Sequence, residues 1–292
     1  MAVGEAADRA VFWYGCNMTR HAELIRCSAR LLRAVGIDAA PAGGPGHCCG
    51  SPKEASARIA GGMAKRTVEK FNATGAPSVI TWCPSCHMNA HDFMAPVTAP
   101  NFVTSHISET LWERRARLRP LLQRAVPGRA LIHMHHGFNG RVPVNTIVPA
   151  LLAMIPGLSV LESPLRAPGH MCSAIAGVPG ALADVQAAVV GAAAEAGADT
   201  VVTIFHSCHR EFVALERGRA LRVVNWIHLL AEACGWIAED EYKQWRNAPA
   251  PRAAIGEDRI EAAGEVAFAR LTEPELSRPE LVRSGRAPAL RG

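Results

Sequence analysis

Five cysteines in the first third of the sequence have the types and spacing of a metal site. They are Cys16, the adjacent pair Cys48 and Cys49, and Cys83 and Cys86 within Cys83-Pro84-Ser85-Cys86. Written as a spacing they read C-x31-CC-G-x32-C-P-x-C. Soft thiolates delivered from three separate points select iron–sulfur or zinc chemistry. Adjacent side chains diverge, so Cys48 and Cys49 serve one tetrahedral ion poorly but can reach two metals or bridge them. A structural zinc takes four ligands, usually from two separated hooks, and five thiols overfill it. The arithmetic favours a multi-iron cluster, with zinc the weaker alternative.

The sequence then repeats itself, weakly, at a period near 122 residues. Thr81-Trp-Cys-Pro-Ser-Cys-His87 aligns with Thr203-Ile-Phe-His-Ser-Cys-His209, Gly46-His-Cys-Cys-Gly50 with Gly169-His-Met-Cys-Ser173, and Tyr14-Gly-Cys16 with His135-His-Gly137. In the second copy only Cys172 and Cys208 remain, opposite Cys49 and Cys86, while Gly137, Met171 and Phe205 stand opposite the other three thiols. Two thiolates cannot hold a five-ligand cluster. The alternatives are a packing lobe with inert cysteines, a redox or sulfur-carrying Cys172/Cys208 pair, a different metal centre, and another small-molecule pocket. For the metal, His133, His135, His136, His170, His206 and His209 surround the two thiols in the alignment, and imidazole with thiolate suits zinc or a Rieske-like iron pair. His170 and His209 match His47 and His87 of the intact copy and read as shared scaffold. Cys172, Cys208 and His206 are the catalytic candidates, because an imidazole between the lobes can serve a leaving thiolate.

The elements that must position these residues follow the same duplicated order. Strands are expected at Ala10–Gly15, Ser78–Trp82, Ala130–Met134 and Thr200–Phe205, and helices near Thr19–Val35, Glu54–Asn72, Asn145–Ile155, Gly180–Ala196 and Val223–Cys234. Strand–helix–strand order with apolar strands predicts an α/β protein: two tandem pseudo-symmetric lobes, each a small, mainly parallel sheet flanked by helices. Ligands in such sheets gather at the carboxyl ends of the strands, where Cys16, Cys83 and Cys86 fall. The expected division is a first lobe at 1–119, a second at 129–245 and a C-terminal extension at 246–292, interrupted by prolines and ending in disorder.

The 292 residues carry a net charge of +5, nine cysteines, and no uncharged apolar run long enough to span a bilayer. The first residues lack a basic-then-apolar leader, so the thiols are expected to be reduced and the protein cytoplasmic. An arginine-rich run at 113–119 reads as a solvated helix face or a docking surface for an acidic partner. Few aromatics accompany it, which argues against nucleic acid.

The five-cysteine spacing followed by an eroded copy resembles the cysteine-rich CCG domain of heterodisulfide reductase and its relatives, among them the sulfur-oxidising heterodisulfide-reductase-like complexes. The resemblance covers about residues 10–235. It implies one noncubane [4Fe-4S] cluster on Cys16, Cys48, Cys49, Cys83 and Cys86. It also implies disulfide/thiol or sulfane-sulfur redox chemistry, on small thiols or lipoate-bound sulfur. The implied partners are a ferredoxin-like iron–sulfur subunit and a flavoprotein. A non-catalytic electron-relay or assembly subunit of a multi-subunit dehydrogenase is the alternative.

Overall fold

The computed structural model describes residues 8–51 and 56–281. Eight strands form two four-stranded sheets, and every pairing within them is parallel. In the first sheet β1 (Asp8–Gly15), β2 (Ile37–Gly43), β3 (Ser78–Thr81) and β4 (Val103–His106) lie in the order β2-β1-β3-β4. In the second, β5 (Gly128–His133), β6 (Leu158–Leu161), β7 (Thr200–Thr203) and β8 (Arg222–Asn225) lie in the order β6-β5-β7-β8. The second connectivity therefore repeats the first.

The four strands expected from sequence are the central ones. They are covered on both faces, so they read as unbroken apolar runs. The four that sequence reading passes over are the sheet edges. Burial along β2, β4 and β6 is partial, and Pro41 in β2 sits at an edge, where a missing N–H is tolerated. Val223–Cys234 is a correction: the single expected helix is edge strand β8 followed by a helix at Trp226–Ala233. Two valines run directly into an apolar helix, with only the cap Asn225 between them to mark the break. The first sheet ends the same way, with β4 leading into a helix at Ile107–Glu113 capped by His106.

The longer helices are α1 (Ala22–Ala34), α2 (Ala57–Ala73), α5 (Val144–Leu152) and α6 (Ala181–Glu195). Between them come α3 (Pro84–Asn89) and α4 (Ile107–Glu113), and after them α7 (His206–Phe212) and α8 (Trp226–Ala233). The helix expected from Glu54 begins at Ala57; Glu54 itself lies outside the described residues. On α1, Leu24, Cys27, Leu31 and Leu32 are buried, the i, i+3, i+7, i+8 spacing of one helix face. The helix after the first strand of each sheet packs on the helix after the fourth strand of the other: α1 on α8, and α5 on α4. One contiguous apolar core runs through both sheets.

Residues 241–276 form short helices that bond to Val213 and Val223 in the second half and to Arg20 in the first. Prolines expected to interrupt the tail start helices instead. Pro251 and Pro274 stand in first turns, where the missing N–H costs nothing. Arg246, buried, clamps the tail by donating to the Leu276 and Arg278 carbonyls at 2.7 Å each. The expected disordered end, from 282 on, lies outside the described residues. Among those described, no helix is long and apolar enough to cross a membrane.

Candidate metal centre

The five thiols of the first lobe emerge from three strand ends on one side of the sheet. Cys16 follows β1 directly, and Cys48 and Cys49 follow a 3-10 turn at Pro45–His47 after β2. Cys83 is the N-cap of α3 after β3, and Cys86 lies in that helix's first turn, with Pro84 opening it. The structure brings all five together as a chain of sulfur contacts, Cys16 to Cys48 to Cys49 to Cys86 to Cys83, rather than as a compact set around one point. None is in a disulfide.

Their protonation is mutually determined. Contacts with Cys16 and Cys49 lower the Cys48 thiol to about 2. Cys16 is pushed up by its bond to Cys48 and by burial. Cys49 is raised to about 12, first by Cys48. Cys83 is lowered by its bond to Cys86, which is itself pushed up by Cys49 and Cys83. Each thiolate is thus sustained by a neighbour that keeps its proton. Five simultaneous thiolates in this buried site need a positive centre among them, and filling it must expel protons. The donor set therefore fits a polynuclear iron–sulfur group.

Gly15 makes the convergence possible. It adopts φ +81°, and a Cβ there would stand 3.1 Å from Cys86 Sγ and 3.2 Å from Cys83 Cβ. A cavity of about 370 Å³ lies against these thiols. Cys16, Cys49, Cys83 and Cys86 line one side, and His170, Met171, Ser173 and His206 of the second lobe line the other. Ser85 Oγ and His170 Nε2 bridge the two sides at 2.8 Å.

His206, the first residue of α7, is 2% exposed, and neither ring nitrogen has a hydrogen-bond partner. Burial pushes its pKa down to about 3, so the ring is neutral near pH 7, with one N–H and one lone pair available. Cys172 and Cys208, expected to act alongside it, do not line this cavity and are fully buried.

Instead, Cys172 and Cys208 join His133 and His135, with all four ligand atoms within 4.8 Å of one another. His133 Nε2 lies 3.2 Å from Cys172 Sγ, and His135 Nε2 lies 3.5 Å from Cys172 Sγ and 3.3 Å from Cys208 Sγ. This set can bind a metal ion. Burial and the Cys208 charge raise Cys172; against burial, bonds from Cys172, His133 and His135 hold Cys208 down as a thiolate.

The other histidines expected around the pair go elsewhere. His136 is exposed, His170 and His206 face the first-lobe cavity, and His209 pairs with Asp240 at 2.7 Å. His209 also matches His87 as scaffold: each bonds through Nδ1 to a threonine hydroxyl at the end of the preceding strand, Thr203 at 3.3 Å and Thr81 at 2.9 Å. Gly137, opposite Cys16 in the alignment, donates its N–H to Gly169 O at 2.8 Å, and a Cβ on it would meet the Gly169 backbone at 2.9 Å.

Two features escaped sequence reading. The selection of His133 and His135 from six histidines was signalled by their i, i+2 spacing at a strand end, which puts both on one face. The buried cluster of His21, Glu23, His209, His228 and Asp240, where α1 meets α8, had no sequence signal, because its members come from four separate segments.

Residues 10–90 match the family model of the CCG cysteine-rich domain. No curated protein matches the chain. Among solved structures, an aspartate racemase homologue from Pyrococcus horikoshii OT3 is similar at 9% identity and TM-score 0.34, covering 78% of this chain and 99% of its own. A putative Asp/Glu racemase from Yersinia pestis is similar at 12% identity and TM-score 0.37, covering 78% of this chain and 97% of its own. An aspartate racemase from Picrophilus torridus is similar at 9% identity and TM-score 0.33, covering 80% and 98%.

Proposed function

We propose that the chain is the iron–sulfur subunit of a heterodisulfide-reductase-like complex. Cys16, Cys48, Cys49, Cys83 and Cys86 would hold one noncubane [4Fe-4S] cluster, and the chemistry would be disulfide/thiol or sulfane-sulfur redox. The observation that carries this reading is the meeting of five thiols from three strand ends beside a cavity of about 370 Å³. The repeated sheet order and the reciprocal packing of α1 on α8 and α5 on α4 support a tandem duplication with a pseudo-symmetric origin. A ferredoxin-like subunit and a flavoprotein, in the cytoplasm, are the partners this function requires.

When bound, the cluster supplies electrons and a soft iron that takes sulfur ligands. The chain's own residues do the rest. The cavity lies at the small end of ligand sites, and because Cys16, Cys49, Cys83 and Cys86 line it, the cluster would share it with the sulfur end of a small thiol or lipoyl arm. Met171 and Ala174 help to line it and present apolar surface to a carbon chain. The neutral His206 can donate an N–H hydrogen bond to a sulfur gaining negative charge. The Ser85–His170 bridge fixes the two walls relative to each other.

Protein purified without oxygen should contain about four iron and four acid-labile sulfide per chain, and Cys49→Ser should abolish its visible absorption. Iron and sulfide at trace levels, with zinc on the first-lobe thiols, would overturn the assignment. In the assembled complex, His206→Gln should keep the iron and lose about 10²-fold or more in kcat. Full turnover would instead favour an electron relay.

A further inference from the structure

We propose that His133, His135, Cys172 and Cys208 bind a single tetrahedral zinc ion, separate from the five-thiol site and structural in role. Zinc bonds of about 2.3 Å to sulfur and 2.0–2.1 Å to nitrogen, at tetrahedral angles, put nitrogen and sulfur ligands about 3.5 Å apart. The three nitrogen–sulfur contacts are 3.2, 3.3 and 3.5 Å. These three separations match that value, and all four ligand atoms lie within 4.8 Å of one another.

The ligands are also oriented for it. His135 Nδ1 donates to Pro168 O at 3.0 Å, which leaves the Nε2 lone pair directed at the sulfurs, the second interaction a metal-binding imidazole ordinarily makes. The His133 ring stacks on Phe212 with centroids 4.4 Å apart. Cys172 N–H donates to Cys208 Sγ at 3.4 Å, a bond suited to a thiolate ligand.

Two thiolates and two imidazoles suit zinc or a Rieske-type iron pair, but a pair puts its thiolates on one iron and its imidazoles on the other, whereas here all four ligand atoms lie within 4.8 Å of one another, as around one ion. All four residues are at most 2% exposed, so no coordination position is left open to substrate. A closed site of this kind holds structure together. Here it ties the end of β5 to the turn at Cys172–Ala174 and to α7. A separate cavity of about 270 Å³ reaches His133 from the outside and gives the ion a way in. On this assignment the second lobe did not simply lose ligands. It kept two thiols and drew two imidazoles from the strand end, and neither thiol is free to carry sulfur or to form a redox disulfide.

The test is made on the full chain purified without oxygen. It should contain about one zinc per chain, and so should the Cys48→Ser/Cys49→Ser double variant, whose first site is broken. This separates the proposal from the cluster assignment, since either can fail alone. Replacement of the zinc by cobalt should give the visible bands of a tetrahedral Cys2His2 centre. His135→Cys should shift those bands to the red while keeping the ion, a readout that does not depend on an unstable His135→Ala variant. Cys172 and Cys208 should resist alkylation in the native protein and react once a chelator has removed the metal. Absence of zinc, recovery of the two thiols as a disulfide, or a cobalt spectrum unchanged in His135→Cys would overturn it.

Discussion

Five thiols meet around one residue that has no side chain. Gly15 takes a left-handed backbone conformation under Cys86, which any other residue pays for at roughly 1–2 kcal/mol. Gly15→Ala adds a contact at 3.1 Å to a sulfur that must hold its place. We expect the variant to retain less than about half the iron and to unfold roughly 1–2 kcal/mol more easily, with zinc content unchanged. Iron and zinc assays with urea titration check this, and a full iron load would show that the thiols do not need the clearance. The thiols were legible in the sequence because cysteine is rare and its spacing is informative. The imidazoles were only partly so, because with His170 and His209 set aside as scaffold four histidines still compete for two places. Which of them face Cys172 depends on where β5 ends, with His133 its last residue and paired with Thr203.

The helices that close the two sheets start with different residues doing the same work. His106 Nε2 donates to Trp82 O at 3.1 Å while its Nδ1 accepts from Ser108 N. Asn225 Nδ2 donates to Ile204 O at 3.2 Å while its Oδ1 accepts from Ile227 N. Only the histidine titrates. Burial lowers His106 from 6.5 to about 3, so the folded ring stays neutral while the unfolded one takes up a proton below about pH 6.5. Its contribution is therefore complete above that pH and is lost as pH falls from about 6.5 towards 3. Relative to wild type, His106→Asn should gain roughly 2 kcal/mol on going from pH 7.5 to pH 5, since any packing loss cancels in the comparison. Urea midpoints at the two pH values measure it, and parallel shifts in both proteins would refute it. These caps also explain the missing edge strands: one polar residue was the only punctuation between four strand residues and an apolar helix.

Each lobe is braced by the other through α1 on α8 and α5 on α4, and the first contact surrounds a buried polar cluster. There Glu23 is 2% exposed, with Oε1 3.7 Å from His21 Nδ1 and 3.8 Å from His228 Nε2. Burial and the Asp240 charge raise its pKa to about 8. Its raised value means that stability falls as pH climbs from about 4.5 to 8, because the unfolded carboxyl ionises first. Glu23→Gln should therefore stabilise the protein by roughly 1–3 kcal/mol at pH 7, and the gain should vanish near pH 4.5. Asp240→Asn should cost about 1–3 kcal/mol, because it removes the carboxylate that meets His209 Nε2 at 2.7 Å and weakens a buried hydrogen bond. Denaturation of both variants across that pH range checks the signs, and a destabilised Glu23→Gln at pH 7 would show that the carboxyl is charged there. The two parallel sheets were legible from the strand–helix–strand order of the sequence. The bracing was not, since it depends on contacts between helices far apart in the sequence.

That the far wall of the thiol-lined cavity is made of His170, Met171, Ser173 and His206 has a bearing on how the protein is made. His206 is 120 residues downstream of Cys86. At ordinary translation speeds the second wall leaves the ribosome roughly 6–24 s after the last of the five thiols. Until then the thiols lack the wall that His170, Met171, Ser173 and His206 supply. A metal delivered then would meet thiols without their facing wall, and one delivered later would have to enter between the two.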